Sequence, residues 1–222
     1  AEVLIAWLEG DLLLARTEVM DLDEDVYRQG GWSVRMYGEA MMPASPRWMQ
    51  GAKMRVQATE EDEVLEALGQ HIGEVFVADS QRLIIWGSGG TLRTIAEGIG
   101  FAPTLLGIDA TLGEEQVGTD LNEEALLQLI NEHDGECTLL VSPMGGQGFL
   151  LGRGNLQLSP DVLRAIGIDA VLGVVTPAKM LTVVHLRIDT GDHELDLEFQ
   201  AKKYLKVLQG YRTTRLLRVA VE

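Results

Sequence analysis

One cysteine, Cys137, occurs in 222 residues. That excludes an internal disulfide framework and any zinc site built from several cysteines, and it fits a reducing, cytoplasmic setting. Basic residues are scarce. Eighteen lysines and arginines face 34 aspartates and glutamates, for a formal net charge of −16. Nonspecific binding of DNA or RNA needs a basic face, so no nucleic-acid partner is expected. An anionic small molecule would need a local positive site, which gives weight to each arginine or lysine near a loop. No stretch approaches eighteen consecutive apolar residues, so no membrane span is expected. No signal-peptide pattern is visible, and the chain opens at Ala1 inside a strand-like run, which reads as a fragment or trimmed chain. The remaining composition, 46% apolar and 23% charged, is that of a globular protein long enough for one large domain or two small ones.

What is abundant is glycine, and it concentrates in Met144 to Pro160. That stretch reads Met-Gly-Gly-Gln-Gly-Phe-Leu-Leu-Gly-Arg-Gly-Asn-Leu-Gln-Leu-Ser-Pro. Five glycines fall within ten residues, after the apolar run Thr138 to Val141 and before a helix start at Ser159-Pro160. Glycine is entropically costly and is kept where backbone must turn with positive φ or approach something closely. Such a loop can offer backbone N–H groups and the Arg153 guanidinium to an anion, with Asn155 bracing it. A glycine-rich hairpin with Phe149-Leu150-Leu151 as its second strand fits the same residues, and both readings stay open here.

In chain order, Glu2 to Leu8 reads as a strand, Gly10-Asp11 as a hairpin turn and Leu12 to Met20 as the return strand. The acid-rich Asp21 to Asp25 is either a carboxylate site for a metal or ribose hydroxyls or a solvated turn. Trp32 to Tyr37 alternates as a strand, Pro43 and Pro46 mark an irregular crossing, and Lys53 to Gln57 is extended. Thr59 reads as the cap of a helix whose apolar face is Val64, Leu65, Leu68, Ile72 and Val75. His71 within it reads as a surface or satisfied histidine. A strand at Arg82 to Trp86 then runs into Gly87-Ser88-Gly89-Gly90-Thr91 and a helix from Leu92 to Ile99, so this turn is either a phosphate-holding loop or a tight strand-to-helix turn. A strand at Thr104 to Ile108, a helix capped by Asp120 with Glu123, and a strand at Thr138 to Ser142 complete a parallel βαβ pattern. Beyond the glycine loop, Val171 to Thr176 is a strand ending near Lys179, which either meets a phosphate or is simply exposed. Val183 to Asp189 is a strand, Thr190-Gly191-Asp192 a turn with an acidic cluster after it, and Tyr204 to Leu208 and Thr214 to Val221 are closing strands.

These residues resemble the ATP-NAD kinase family, in its bacterial and archaeal polyphosphate/ATP-NAD kinase-like branch. The resemblance rests on Glu18 to Glu24 with Arg28, on Gly87 to Thr91, on Leu106-Gly107-Ile108-Asp109, on Gly145 to Pro160, on Thr176-Pro177-Ala178-Lys179 and on Arg187 to Asp192. It implies phosphoryl transfer from ATP or polyphosphate, with Mg²⁺, to the 2′-hydroxyl of the adenosine ribose of NAD, giving NADP. The family's Gly-Gly-Asp-Gly-Thr motif, which belongs to an N-terminal lobe, does not occur in this sequence. The resemblance therefore implies a C-terminal, substrate-binding lobe that carries neither the catalytic aspartate nor metal ligands and is catalytically incomplete alone. Gly145, Gly146, Gln147, Gly148 and Phe149 resemble the loop that faces NAD, and Asp21 and Asp23 the acidic segment near its ribose. Gly90 and Leu92 depart from the hydroxyl-rich form of the 87–91 turn. Leu156 stands where glutamine is usual.

The fold expected is α+β. A β-rich NAD kinase-like C-terminal lobe at 1–58 and 141–222 is interrupted by an inserted α/β (βαβ) subdomain at 59–140. The nucleotide-binding residues expected are Gly145 to Phe149, Arg153, Asn155, Asp21, Asp23 and Lys179, with Gly87, Ser88, Gly89 and Thr91 as a further phosphate loop. NAD or NADP is the expected partner, and a homo-oligomer the expected assembly. The rivals are a nucleotide-binding regulatory module without chemistry and a sugar-phosphate isomerase-like enzyme. The second rests on the 87–91 turn alone and lacks a nearby lysine or acid–base pair.

Overall fold

The computed structural model describes residues 13–22, 28, 34–44, 58–144, 148–152, 154–180 and 183–220. The expected strands at Glu2 to Leu8 and Lys53 to Gln57, the Gly10-Asp11 turn, Asp23 to Asp25 and Pro46 lie outside them. The chain divides into two compact units, Ala1–Arg55 and Val56–Glu222.

In the first unit β1 (Leu13–Leu22) pairs antiparallel with β2 (Val34–Ala44), from Leu13 opposite Ala44 to Leu22 opposite Val34. Asp21, read from sequence as the start of a turn, stands instead in β1 opposite Arg35. Pro43, read as irregular, lies within β2 opposite Leu14. A two-stranded ladder is all edge, so a proline's missing N–H is tolerated there.

The second unit is a mixed α/β fold built on a seven-stranded mixed sheet, and six helices occur among the described residues. α1 (Ala58–Ile72) passes into a π-helical segment, Gly73–Val77. Then come β3 (Leu83–Trp86), α2 (Gly90–Gly98), β4 (Asp109–Leu112), β5 (Glu115–Gly118), α3 (Glu123–Glu132) and β6 (Cys137–Val141). β7 (Phe149–Leu151), α4 (Pro160–Ile166), β8 (Val171–Val174), α5 (Pro177–Met180), β9 (Arg187–Ile188), α6 (His193–Lys202), β10 (Tyr204–Gly210) and β11 (Thr213–Arg218) follow. The sheet order is β11-β10-β8-β6-β3-β4-β5. β10, β8, β6 and β3 are mutually parallel; β11, β4 and β5 pair antiparallel at the edges. The boundary expected near 140 falls inside β6, and strands from both sides of it share this sheet.

Alternation along the strands sorts the core into two faces. Leu83, Ile85, Leu139 and Val141 pack with Leu126 of α3, Val162 and Leu163 of α4, and Phe199 of α6. Ile84, Trp86, Leu140 and Val174 pack on the other side with Leu68 and Ile72 of α1 and with Leu92 and Ile95 of α2. Full burial of a side chain of this size contributes about 1.5–3 kcal/mol. Trp86 also satisfies its indole, donating from Nε1 to Thr111 Oγ1 at 3.0 Å.

Several sequence expectations change here. The expected strand at Thr104 to Ile108 is a loop, because Thr104 gives both its N–H (2.7 Å) and its hydroxyl to the buried carboxylate of Asp109. The strand begins at Asp109 and runs antiparallel to β3, so β3, α2 and β4 do not form a βαβ unit. Asp120 is occupied differently as well. Its N–H donates to Asp109 at 3.0 Å, its φ is 50°, and the cap of α3 is Asn122, whose side chain accepts from Ala125 N–H. The expected strand at Val183 to Asp189 is reduced to Arg187–Ile188 with a bridge from Leu186 to Val219. The acidic cluster after Asp192 is helical, capped by Asp192 through Leu195 N–H at 2.9 Å. Only Leu195 and Phe199 of α6 are buried, too narrow a stripe to read as a helix from sequence.

The end of α1 differs for one reason. Ala78 N–H donates to Gly73 carbonyl, five residues back, so the turn holds an extra residue. Val75, expected on the apolar face, is 47% exposed, while Val77 is buried. His71 is neither at the surface nor satisfied by the described residues: it is buried, its Nδ1 has no hydrogen-bond partner among them, and its ring meets Phe76 and Tyr211 edge-on at 6.2 and 5.9 Å. Burial, helped by the charge of Arg212 and opposed by Glu74, holds its pKa below the usual 6.5. The unfolded chain therefore takes up a proton that the folded chain refuses as pH falls past that value. Denaturant unfolding between about pH 7.5 and 5 should show stability falling with acid, with a shallower slope in His71→Gln.

Candidate functional site

Three loops leave the carboxyl ends of neighbouring parallel strands. Gly87 to Thr91 follows β3, Ser142 to Pro160 follows β6, and Val175 to Met180 follows β8. The helix after β3, α2, packs on one face of the sheet, and the helix after β6, α4, packs on the other. The chain thus diverges between two adjacent strand ends, the place where open α/β sheets hold ligands.

Within the first loop Gly87 is fixed by close approach. Its N–H donates to Leu140 carbonyl at 2.8 Å, and a Cβ would stand 2.9 Å from that same oxygen. Gly89, at φ 114°, precedes α2, which begins without a side-chain cap. Among the described residues, no side chain caps the first N–H groups of the helix. Ser88 is buried and donates from Oγ to Gly154 carbonyl at 3.0 Å, tying this turn to the glycine-rich loop. Thr91 is half-buried in the first turn of α2.

The glycine-rich loop is shaped by backbone contacts. Met144 N–H donates to Phe149 carbonyl at 2.8 Å, so the hairpin reading describes its neck. β7 then pairs in parallel with β9. Gly148 (φ 78°) lies against the His185 carbonyl and Gly152 (φ 94°) against the Asp189 carbonyl, where any Cβ would overlap backbone oxygen. Asn155, 3% exposed, braces the turn from inside: Oδ1 accepts from Gly152 N–H and Nδ2 donates to Leu150 carbonyl, both at 3.0 Å. Phe149 is buried, with the Arg187 guanidinium 5.6 Å from its ring centre, so its side chain belongs to the loop's footing.

The third loop brings Lys179. Its Nζ donates to Ser142 Oγ at 2.9 Å and to Pro143 carbonyl at 3.2 Å, which ties α5 to the base of the glycine-rich loop. By exposed area the residue is half-buried, yet desolvation of its ammonium lowers the pKa, opposed by the charge of Glu61. A lysine in that setting at a strand end is a candidate for a functional role. Thr176, fully buried, donates to Glu61 at 3.4 Å and accepts from Lys179 N–H at 3.4 Å.

The structure ties Ser88 to Gly154, next to Asn155, and Lys179 to Ser142 and Pro143 at the base of the same loop; Gly87 is held against β6, and Gly148 packs against His185. Gly145, Gly146, Gln147 and Arg153 lie outside the described residues, as does Asp23. Asp21 belongs to the other unit. Reading the sequence as separate motifs overlooked Ser142 and Glu61. Ser142 could have been found as a hydroxyl between an apolar strand and Pro143; Glu61 had no local signal beyond its place in a helix's first turn. The two cavities described for this unit lie elsewhere, one between α1 and α2 and one at the amino ends of the strands.

Replacing Asn155 by alanine removes the partners of two backbone groups in a buried turn. Each unsatisfied buried group costs about 1–3 kcal/mol, so Asn155→Ala should lose about 2–4 kcal/mol by denaturant unfolding. Asn155→Asp should not recover that loss: it keeps the acceptor for Gly152 N–H but sets a buried carboxylate oxygen against the Leu150 carbonyl.

The family of the ATP-NAD kinase C-terminal domain matches residues 81–219, well over half of the chain. Searches of curated proteins and of solved structures returned no match. The matched span holds the 87–91 turn, the whole glycine-rich loop and Lys179, and the chain belongs to the ATP-NAD kinase family through its C-terminal domain.

Proposed function

We propose that this chain is the dinucleotide-binding lobe of an enzyme that transfers a phosphoryl group from ATP or polyphosphate to the adenosine ribose 2′-hydroxyl of NAD. The observation that carries the reading is the cross-tied set of carboxyl-end loops, in which a desolvated lysine is held against the base of the glycine-rich segment. In a chain of net charge −16, a partly desolvated ammonium among these loops suits an anionic ligand.

In the proposed complex, backbone N–H groups of Gly145 to Phe149 line the dinucleotide. Arg153 pairs with its pyrophosphate through the planar guanidinium fork, and Lys179 adds a compact charge. The turn at Gly87, Ser88, Gly89 and Thr91 lends the open amino end of α2 to a phosphate. In the transfer, the 2′-oxygen bonds to the terminal phosphorus, the bond from that phosphorus to the donor's bridging oxygen breaks, and the hydroxyl proton passes to a base. No residue of this chain is assigned as that base; its part is positioning. No residue is assigned to Mg²⁺ either, because no grouping of three or more His, Cys, Asp or Glu suited to a metal occurs among the described residues. No step is routed through it.

Calorimetric titration of NAD and NADP into the chain tests the reading. Binding should weaken at least about tenfold in Lys179→Met and in Arg153→Ala, about 1.4 kcal/mol or more, while both variants still unfold in one cooperative denaturant transition. Unchanged affinity in both would remove the dinucleotide from this site. NAD binding without NADP formation by the intact protein, given ATP or polyphosphate and Mg²⁺, would leave a regulatory module in place of an enzyme.

A further inference from the structure

Glu61, in the first turn of α1, and Thr176, at the carboxyl end of β8, stand 115 residues apart in sequence and are joined by one hydrogen bond. Thr176 is fully buried. Its hydroxyl accepts from Lys179 N–H at 3.4 Å, the contact an N-cap makes, and so starts α5. The hydroxyl proton then goes to the Glu61 carboxylate, also at 3.4 Å. From α5 the Lys179 side chain reaches Ser142 and the Pro143 carbonyl at the base of the glycine-rich loop. One threonine thus links a carboxylate of α1 to the residue that carries the ammonium.

Ser142 and Pro143 offer that ammonium neutral oxygens. A cation held partly out of water is costly unless an opposite charge lies near. Among the described residues that charge is Glu61's. It opposes the desolvation that holds the Lys179 pKa below 10.5. The next acids of α1, Asp62 and Glu63, are exposed, and Asp62 lines the groove between α1 and α2 instead.

We propose that Glu61 is a positioning residue of the dinucleotide site: through Thr176 it keeps a counter-charge beside Lys179, so that the lysine meets the ligand's phosphates as an ammonium. The ligand rests on the dinucleotide reading; the pairing of Glu61 with Lys179 does not. Without the carboxylate, Lys179 should lose its proton at lower pH. Removing it also removes a repulsion on the anion. Where Lys179 is protonated in both proteins, neutralising Glu61 should therefore not weaken binding. A residue that merely propped the loop would cost affinity at every pH.

The test labels the whole chain with [¹³Cε]lysine and titrates it from about pH 7 to 11. The Lys179 signal is the one lost in Lys179→Met. Glu61→Gln keeps an acceptor for Thr176 without the charge, and should move the Lys179 midpoint to lower pH. Thr176→Val should move it the same way and add nothing to Glu61→Gln. Asp62→Asn should leave it in place. Calorimetry should show NAD binding to Glu61→Gln at wild-type affinity or better below both midpoints, and at least about threefold more weakly between them. The proposal is overturned by an unmoved midpoint in Glu61→Gln, by a Thr176→Val shift that adds fully to it, or by a loss of NAD affinity that is the same at every pH. A moved midpoint in a chain that binds no NAD at any pH upholds the pairing and removes the dinucleotide reading instead.

Discussion

Parallel strand pairing is the constraint on which the second unit depends. A strand cannot return to its neighbour's starting end without a crossover, and the crossovers must cover both faces of the sheet. Four strands here, β3, β6, β8 and β10, accept that cost. The helices between them divide the core into two alternating sets, with Ile85 facing one and Ile84 the other. Because the strands share a direction, their carboxyl ends share an edge. Loops far apart in sequence then meet as a by-product of pairing: Ser88 reaches Gly154, and Lys179 reaches Ser142.

The sequence made some of this legible and hid the rest for physical reasons. The glycine-rich loop, its Ser159-Pro160 helix start and the closing strands β10 and β11 could be read because each has a local signature. Ser159 does cap α4, accepting from Val162 N–H, and Gly167 ends it at φ 85°. Strand direction had no such signature. The run at 104–108 is apolar enough for a strand, but one buried carboxylate, Asp109, gathers the donors of Thr104 and Asp120 and bends the chain instead. α6 was hidden by its acids, since two buried residues suffice to dock it when Asp192 and Thr190 organise its start. Thr190 Oγ1 donates to Asp196 at 2.7 Å, so part of the Arg187 to Asp192 motif is a helix start.

The same distinction separates the kinds of glycine in the site. Gly87, Gly148 and Gly152 are required by neighbouring carbonyl oxygens, and Gly148 and Gly152 also by positive φ. Their presence follows from folding the loop, before any ligand is considered. Lys179 is different. Desolvation lowers the pKa of its ammonium, while two hydrogen bonds tie it to Ser142 and the Pro143 carbonyl. A charged group held partly out of water at a loop junction is a pointer to function that backbone packing does not supply.

The π-helical segment at Gly73–Val77 sets the phase of a helix as well as its length. A chain one residue shorter there would close into a regular α-helix. Everything from Glu61 to Ile72 would then turn by about 100° against the sheet. Leu68 and Ile72 would leave their places over Ile84 and Trp86, and Glu61 would swing away from Thr176. The extra residue works as an angular offset, so insertions and deletions in this segment are read by the core and by the carboxyl-end loops together.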